Sequence, residues 1–241
     1  MDRGKIIVIE GTDCSGKETQ TKRLIEKLKE DGKKVVSISF PNYESPTGKI
    51  VGGPYLGKPE IGESYFGEEA LRLDPKITCL YYAADRKYNM TKVNDYLDDG
   101  YYVILDRYVT SNLAHQGGKI KDAKERREIY SWIDRLEYDL LELPKPDITI
   151  FLRVPYEYAK ELKKNRKSLD IHEKSEEHLR NAERSYLELA SIYNWNTIEC
   201  IEDGKLRTID DIGDEVYSIV KDLSYKKSSA KSLKLYVIKN L

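Results

Sequence analysis

The stretch Lys5-Ile-Ile-Val-Ile-Glu10, followed by Gly11-Thr12-Asp13-Cys14-Ser15-Gly16-Lys17 and then Glu18-Thr19-Gln20, decides how this chain folds. An apolar run of strand length reaches a glycine, turns through a short polar segment, and meets a lysine where a helical pattern begins. Such spacing builds a phosphate-binding loop. Glycines let successive backbone N–H groups turn inward around phosphate oxygens, the helix N-terminus adds partial positive charge, and Lys17 brings a full charge to the β- and γ-phosphates. Placement between an opening strand and a periodic helix is the context this motif requires.

Outward from that loop, short apolar runs alternate with helical patterns, the signature of a parallel sheet covered by helices. Strands are predicted at Lys5 to Glu10, Lys34 to Phe40, Tyr101 to Asp106, Asp147 to Val154 and Thr197 to Ile201, each apolar on both faces. The first helix is predicted from Lys17 to Asp31, with Leu24, Ile25 and Leu28 on one face and a stop at Gly32. Others are predicted at Pro75 to Asp98, Asp122 to Glu142, Tyr156 to Asn165, Glu173 to Tyr193 and Thr208 to Leu223. The segment Asn42 to Gly67, rich in Gly, Pro and Tyr, reads as a loop-dominated excursion lining a pocket. Residues 224–241 form a lysine-rich tail, read as a solvated extension.

A chain of 241 residues with 39% hydrophobic content fits one folded unit with its own core. Lys and Arg number 41 against 42 Asp and Glu, so no global positive field points to nucleic acid or to a membrane. Cys14, Cys79 and Cys200 are far apart and odd in number, which suits neither a zinc site nor a disulfide framework and fits a reducing, cytoplasmic compartment. The apolar run near the N-terminus is too short for a signal peptide, and no later run approaches a membrane span.

Two further features carry charge to the expected ligand edge. The third strand ends in Leu105-Asp106-Arg107-Tyr108, at the carboxyl edge where ligands bind in open α/β sheets. There an Asp can hold a metal's water shell, and an Arg can clamp phosphate and spread transition-state charge. Lys163-Lys164-Asn165-Arg166-Lys167 is a basic cluster of the kind a closing lid brings onto a transferred group. The position after Lys17, ordinarily a Ser or Thr on Mg²⁺, is Glu18, with Thr19 one residue later. Either the metal is held mainly through phosphate oxygens, water and nearby carboxylates, or Glu18 approaches it, or Glu18 simply favours the first helical turn.

Taken together, these strings resemble the thymidylate kinase family over nearly the whole chain up to about Leu223. The loop GTDCSGKETQ resembles its Gly-x-Asp-x-x-Gly-Lys-x-Thr-Gln, Phe40-Pro41 its strand-end dipeptide, and Tyr82-Ala-Ala-Asp-Arg86 its thymine-contacting helix. Asp106-Arg-Tyr-Val-Thr-Ser-Asn-Leu-Ala-His-Gln-Gly-Gly118 is similar to the long family signature. Pro144 to Leu152 and Arg184 to Ala190 are similar to the strand and helix that follow it. The resemblance implies a three-layer α/β/α P-loop kinase fold with a five-stranded parallel sheet: one nucleoside monophosphate kinase domain over residues 1–223, with a small lid at about 160–175. It also implies transfer of a phosphoryl group from Mg²⁺·ATP to dTMP by a homodimer.

Individual roles follow from the same resemblance. The loop residues Gly11, Thr12, Asp13, Cys14, Ser15, Gly16, Lys17, Glu18 and Thr19 would bind ATP, with Asp13 near the sugar 3′-hydroxyl and the metal. Tyr82 would stack on the pyrimidine, Arg86 would bond its O4 edge, and Asn112 would read N3 and O4. His115 would lie beneath the deoxyribose, beside Gln116. Asp106, and Glu18 in one reading, would serve the metal. Two departures alter the pattern. Tyr43 stands near the place of an acceptor-phosphate arginine, leaving Arg107 more of that task, with Lys49 or Arg72 as helpers. Cys14 stands where some members place a catalytic arginine, and Arg166 aligns with the lid arginine of those that lack it. A kinase for another pyrimidine nucleotide or deoxynucleoside, and a non-catalytic nucleotide-binding homologue, are the competing readings. A GTPase switch lacks its Asn-Lys-x-Asp string.

Overall fold

A computed structural model of the chain describes residues 3–12, 14–163 and 175–223. All five predicted strands form: β1 (Lys5–Gly11), β2 (Val35–Ser39), β3 (Tyr102–Asp106), β4 (Ile148–Arg153) and β5 (Asn196–Glu199). They pair in parallel in the order β2-β3-β1-β4-β5, with Ile7 level with Ile104 on one side and Ile148 on the other. The central strands are buried on both faces because their alternate residues feed two separate cores. Ile6, Val8, Val103, Leu105 and Phe151 face one core, while Ile7, Ile9, Ile104, Ile150 and Leu152 face the other. At the two sheet edges the expectation of two apolar faces fails. Ser37 and Ser39 of β2, and Thr197 and Glu199 of β5, are polar and exposed on these edge strands.

One layer consists of α1 (Lys17–Glu30), α6 (Tyr156–Lys163) and α8 (209–223). Leu24, Leu28, Ile212, Val216 and Val220 close the second core from these helices. The stop of α1 is as predicted: Gly32 sits at φ 71, and the Lys33 N–H returns to the Leu28 carbonyl. The opposite layer holds α3 (Pro75–Asp98), α4 (Val109–Gly118), α5 (Ala123–Asp134) and α7 (Glu176–Ile192). Asp122 caps α5 by accepting from the N–H groups of Lys124 and Glu125. The single helix expected to Glu142 instead changes after Asp134 to a wider π-helical turn over Arg135–Leu140. The Glu137 side chain enters the core at that turn.

Helix α4 escapes the sequence pattern. All its residues except His115 are buried, so it carries no amphipathic stripe, and Val, Thr, Asn and Gly are weak helix formers. Tertiary packing holds it. A Cβ on Gly117 would lie 2.2 Å from the Tyr130 ring, so α5 approaches this closely only because that side chain is absent. The Asn42 to Gly67 excursion is likewise more ordered than its composition suggests. It contains α2 (Pro46–Ile50), capped by Ser45, and a π-helical turn over Val51–Tyr55. A carboxylate anchors it: Asp85, 1% exposed, accepts from the Asn42 N–H, Ser45 Oγ, Thr47 Oγ1 and Asn89 Nδ2 at 2.8 to 2.9 Å. β6 (Ile201–Glu202) and β7 (Lys205–Leu206) form a short hairpin after β5. The lid expected at about 160–175, apart from residues 160–163 and 175, and the tail at 224–241 lie outside the described residues.

Candidate active site

The predicted loop closes between β1 and α1 as its spacing requires. Gly11 ends β1 against β4, where a Cβ would meet Ser15 Oγ at 2.3 Å and the Leu152 carbonyl at 2.8 Å. The Ser15 N–H bonds the Thr12 carbonyl at 3.2 Å, and Gly16 at φ 80 opens α1. Cys14 holds a left-handed φ of 64, uncommon outside glycine and a mark of functional loops. Lys17 is buried and lays its ammonium across the loop, donating to the Gly11 and Thr12 carbonyls at 2.9 and 3.0 Å. Thr19 lies on the exposed side of α1, though it still contributes to the cleft. Glu18 is in the first turn, solvent-exposed, with its carboxylate 2.6 Å from Lys22 Nζ. Asp13 and Arg166 fall outside the described residues.

Beneath the loop lies a carboxylate that motif reading passed over. Glu10, fully buried, accepts from the Tyr108 N–H, Thr110 Oγ1, Ser111 Oγ and Tyr186 OH at 2.5 to 3.2 Å. This fan of donors ties the end of β1 to the start of α4 and to α7. The phosphate loop and the third strand's signature are thereby fixed relative to one another. Burial first, and the Glu10 charge second, push the Tyr186 phenol well above its ordinary pKa, so it remains a donor. The one sequence signal was a charged residue inside an otherwise apolar strand.

Arg107 follows β3 at φ 66, another strained position at the sheet's carboxyl edge. Its Nη1 lies 3.1 Å from His115 Nε2, and His115 Nδ1 lies 3.2 Å from His178 Nε2. A guanidinium only donates, so His115 accepts at Nε2 and donates from Nδ1 to His178. His178 on α7 was not foreseen, and its ring stacks on His115 at 5.4 Å between centroids. Asp106, one residue earlier, has a buried Oδ1 with no hydrogen-bond partner among the described residues.

Arg86 and Asn112 meet over a second unforeseen carboxylate. Arg86 Nε and Nη2 donate to the two oxygens of Glu137 at 2.5 and 2.6 Å, and Asn112 Nδ2 donates to Oε1 at 2.9 Å. Arg86 is 2% exposed and Glu137 is fully buried. Burial alone would lower the Arg86 pKa, but the Glu137 carboxylate, by charge and hydrogen bond, holds it above its ordinary value. With its amide nitrogen engaged, Asn112 is left with Oδ1 as a buried acceptor without a partner among the described residues, and Gln116 Oε1 is in the same state. Tyr82 stands edge-on to Tyr55 at 5.8 Å, half in the aromatic packing and half on open space.

These groups share one cleft of about 890 Å³, lined by the loop from Cys14 to Gln20 and by Tyr43, Tyr82, Arg86, Asp106, Arg107, Asn112, His115 and Gln116. Its size suits nucleotide ligands. Leu206, Arg207 and Ile209 also line it, and Gln20 Nε2 ties that segment to α1 through the Ile209 carbonyl at 3.0 Å. Lys58, not singled out in the sequence, lines it as well, whereas Lys49 and Arg72 are exposed and are not among its lining residues. Among the described residues, no group of three or more His, Cys, Asp and Glu could cage a metal.

A phosphate cradle at one strand end and a polar, aromatic-walled pocket beside the next define a P-loop phosphotransferase with a second, small-molecule acceptor. The thymidylate kinase family model matches residues 9–208, and the chain belongs to that family. A thymidylate kinase of Prochlorococcus marinus strain NATL2A is 32% identical over 223 residues, covering 91% of this chain and 99% of its own. A probable thymidylate kinase of Pyrococcus horikoshii is 31% identical, covering 91% and 97%. The match to the Plasmodium falciparum thymidylate kinase, at 33% identity, spans 65% of each chain. Among solved structures, a thymidylate kinase from Candida albicans superposes with a TM-score of 0.68 at 25% identity, covering 91% of this chain and 92% of that one.

Proposed function

We propose that this chain transfers the γ-phosphoryl group of ATP to the 5′-phosphate of dTMP, giving ADP and dTDP, within pyrimidine deoxynucleotide synthesis. The observation that carries the reading is the Arg86–Glu137–Asn112 triad opposite the Lys17 loop. Glu137 fixes the Asn112 amide with Oδ1 free to accept, which matches the N3–H of thymine and mismatches the bare N3 of cytosine. A site with a buried acceptor rejects a base that leaves it unpaired. Arg86 bonds the neighbouring O4 edge, Tyr82 stacks on the ring, and His115 and Gln116 bound the deoxyribose.

The acceptor oxygen is already ionised, so the reaction needs positioning and charge neutralisation more than a general base. Lys17 and the loop amides hold the β- and γ-phosphates. Arg107 holds the acceptor phosphate and spreads charge onto the strand edge, and Arg166 with Asp13 completes the constellation in our reading. Asp106, whose buried Oδ1 has no partner among the described residues, would hold the water shell of a Mg²⁺ ion. When bound, that ion would neutralise charge on the transferring phosphoryl group. Glu18, exposed in the first turn of α1, meets Lys22 through Oε1.

Residues 1–223 act as the kinase domain in this reading, with the lid at about 160–175 closing over the transferred group. We place the protein in the cytoplasm, a compartment that suits Cys14, Cys79 and Cys200, which form no disulfide among the described residues. No helix among the described residues is long and apolar enough to cross a membrane. A homodimer is supported by the exposed Ile77, Leu80 and Tyr88 on one face of α3. Sedimentation of a monomer at micromolar concentration would remove that part. The activity is tested by coupled ADP release with dTMP, dUMP, dCMP and thymidine side by side. We expect the highest kcat/KM with dTMP, and absence of dTMP-dependent ADP release overturns the assignment.

A further inference from the structure

We infer that Lys58 is a second cation on the acceptor's phosphate, aimed there by the face of Tyr43. This rests on the acceptor being a nucleoside monophosphate. A phosphate monoester carries a charge of roughly −1.5 to −2 near neutral pH, more than one arginine neutralises. The cations lining the cleft divide by what already engages them. Lys17 lies on its own loop carbonyls, Arg86 is bound to Glu137, and Arg207 Nη1 is 2.8 Å from Glu215 and from the Glu199 carbonyl. Arg107 Nη1 lies 3.1 Å from His115 Nε2. Lys58 has only a ring: its Nζ lies 5.3 Å from the Tyr43 centroid, and among the described residues it forms no ion pair. A cation held over a phenol face keeps its full charge, which a carboxylate partner would cancel.

The placement of Lys58 is built into the chain rather than left to a wandering side chain. The turn that follows the π-helical segment fixes its backbone, with the Lys58 N–H on the Gly52 carbonyl at 2.9 Å and its own carbonyl accepting from Ile61 and Gly62. Gly57, at φ 65, supplies the reversal just before it. The same Gly52 seats the Tyr43 ring, since a Cβ there would be 2.9 Å from Tyr43 Cδ1. Gly52 therefore bears on both members of the pair, and α3 holds the segment beside Tyr43 through the Asp85 bonds to Asn42 and Ser45. Leu56 and Lys58 then line the cleft together with Tyr43.

The test compares dTMP with thymidine, which lacks the phosphate. In Lys58→Gln we expect the KM for dTMP to rise tenfold or more, while the KM for ATP and the affinity for thymidine, by calorimetry, stay within twofold. Lys58→Arg should recover most of the loss. Tyr43→Leu should reproduce it, and the double variant should be no worse than either single. Equal weakening of dTMP and thymidine, or no change in either, overturns the assignment of Lys58 while leaving the kinase reading intact. Failure of the unmodified protein to bind dTMP sinks both.

Discussion

Replacing Glu137 by alanine leaves the Arg86 guanidinium, 2% exposed, without the carboxylate that engages two of its nitrogens. It also removes the acceptor of Asn112 Nδ2. Breaking one partner of a buried ion pair costs about 3–5 kcal/mol because the surviving charge stays desolvated. The lost Asn112 bond adds roughly 1 kcal/mol. Against a total stability of about 5–15 kcal/mol, such a loss is large, and for a domain of this size it lowers Tm by on the order of 10 °C. Urea unfolding and calorimetry would measure it. The double variant Arg86→Met with Glu137→Leu separates fold from function. Replacing the whole pair by apolar groups removes the desolvated charges and should return stability to within about 2 kcal/mol of the original. The same variant should still raise the KM for dTMP sharply, because the base edge has lost its donor and Asn112 its orientation. The reasoning fails if Glu137→Ala unfolds at the unmodified midpoint, or if the double variant is as unstable as the single.

Lys17→Ala and Arg166→Ala should each cut kcat by about 10²-fold or more with stability nearly unchanged, since each supplies charge to a transferring phosphoryl group. Near-normal turnover in Arg166→Ala would refute the lid assignment. Lys119 donates to the Leu73 carbonyl and Thr78 Oγ1 at 3.3 Å, and burial lowers its pKa from 10.5 to about 8. Because the folded value is the lower, the unfolded chain takes up the proton first as pH falls. Stability is therefore greatest above pH 10.5 and is lost down to about 8, by about 1–3 kcal/mol. Urea midpoints for the parent and Lys119→Met should diverge over that window, and parallel curves would contradict it. Glu18→Thr should leave the Mg²⁺ dependence of turnover unchanged, since the carboxylate is engaged with Lys22 in solvent. A shifted Mg²⁺ midpoint would restore it as a ligand.

Much of the fold was legible because the signals are local. β1, the phosphate loop and α1 were set by apolar run, glycine spacing and helix periodicity, and Pro75–Asp98 was bounded correctly by its Asp-Pro start. What escaped was buried all round or used rare geometry. Helix α4 shows no amphipathic stripe, and the π-helical turn at Arg135–Leu140 interrupts a pattern that reads as continuous helix. Site residues quoted in motifs, such as Lys17, Arg86, Arg107 and Asn112, do line one cleft. Of their supports, Glu10 showed only as a charge at the end of an apolar run and Asp85 only as a member of the Tyr82–Arg86 string, while Glu137 and His178 gave no signal.

The amino-acid order alone determined the succession of strands and helices, the phosphate loop and the family, because each shows in local periodicity or in motifs of fixed spacing. Only the tertiary structure decided which charges are engaged and which face the ligand. Glu10 reaches across 176 positions to Tyr186, Arg86 is held by a carboxylate 51 residues away, and Lys58 is set by a turn against Tyr43. Whether a charge is neutralised depends on what lies within a few ångströms of it in space, and sequence spacing does not record that distance.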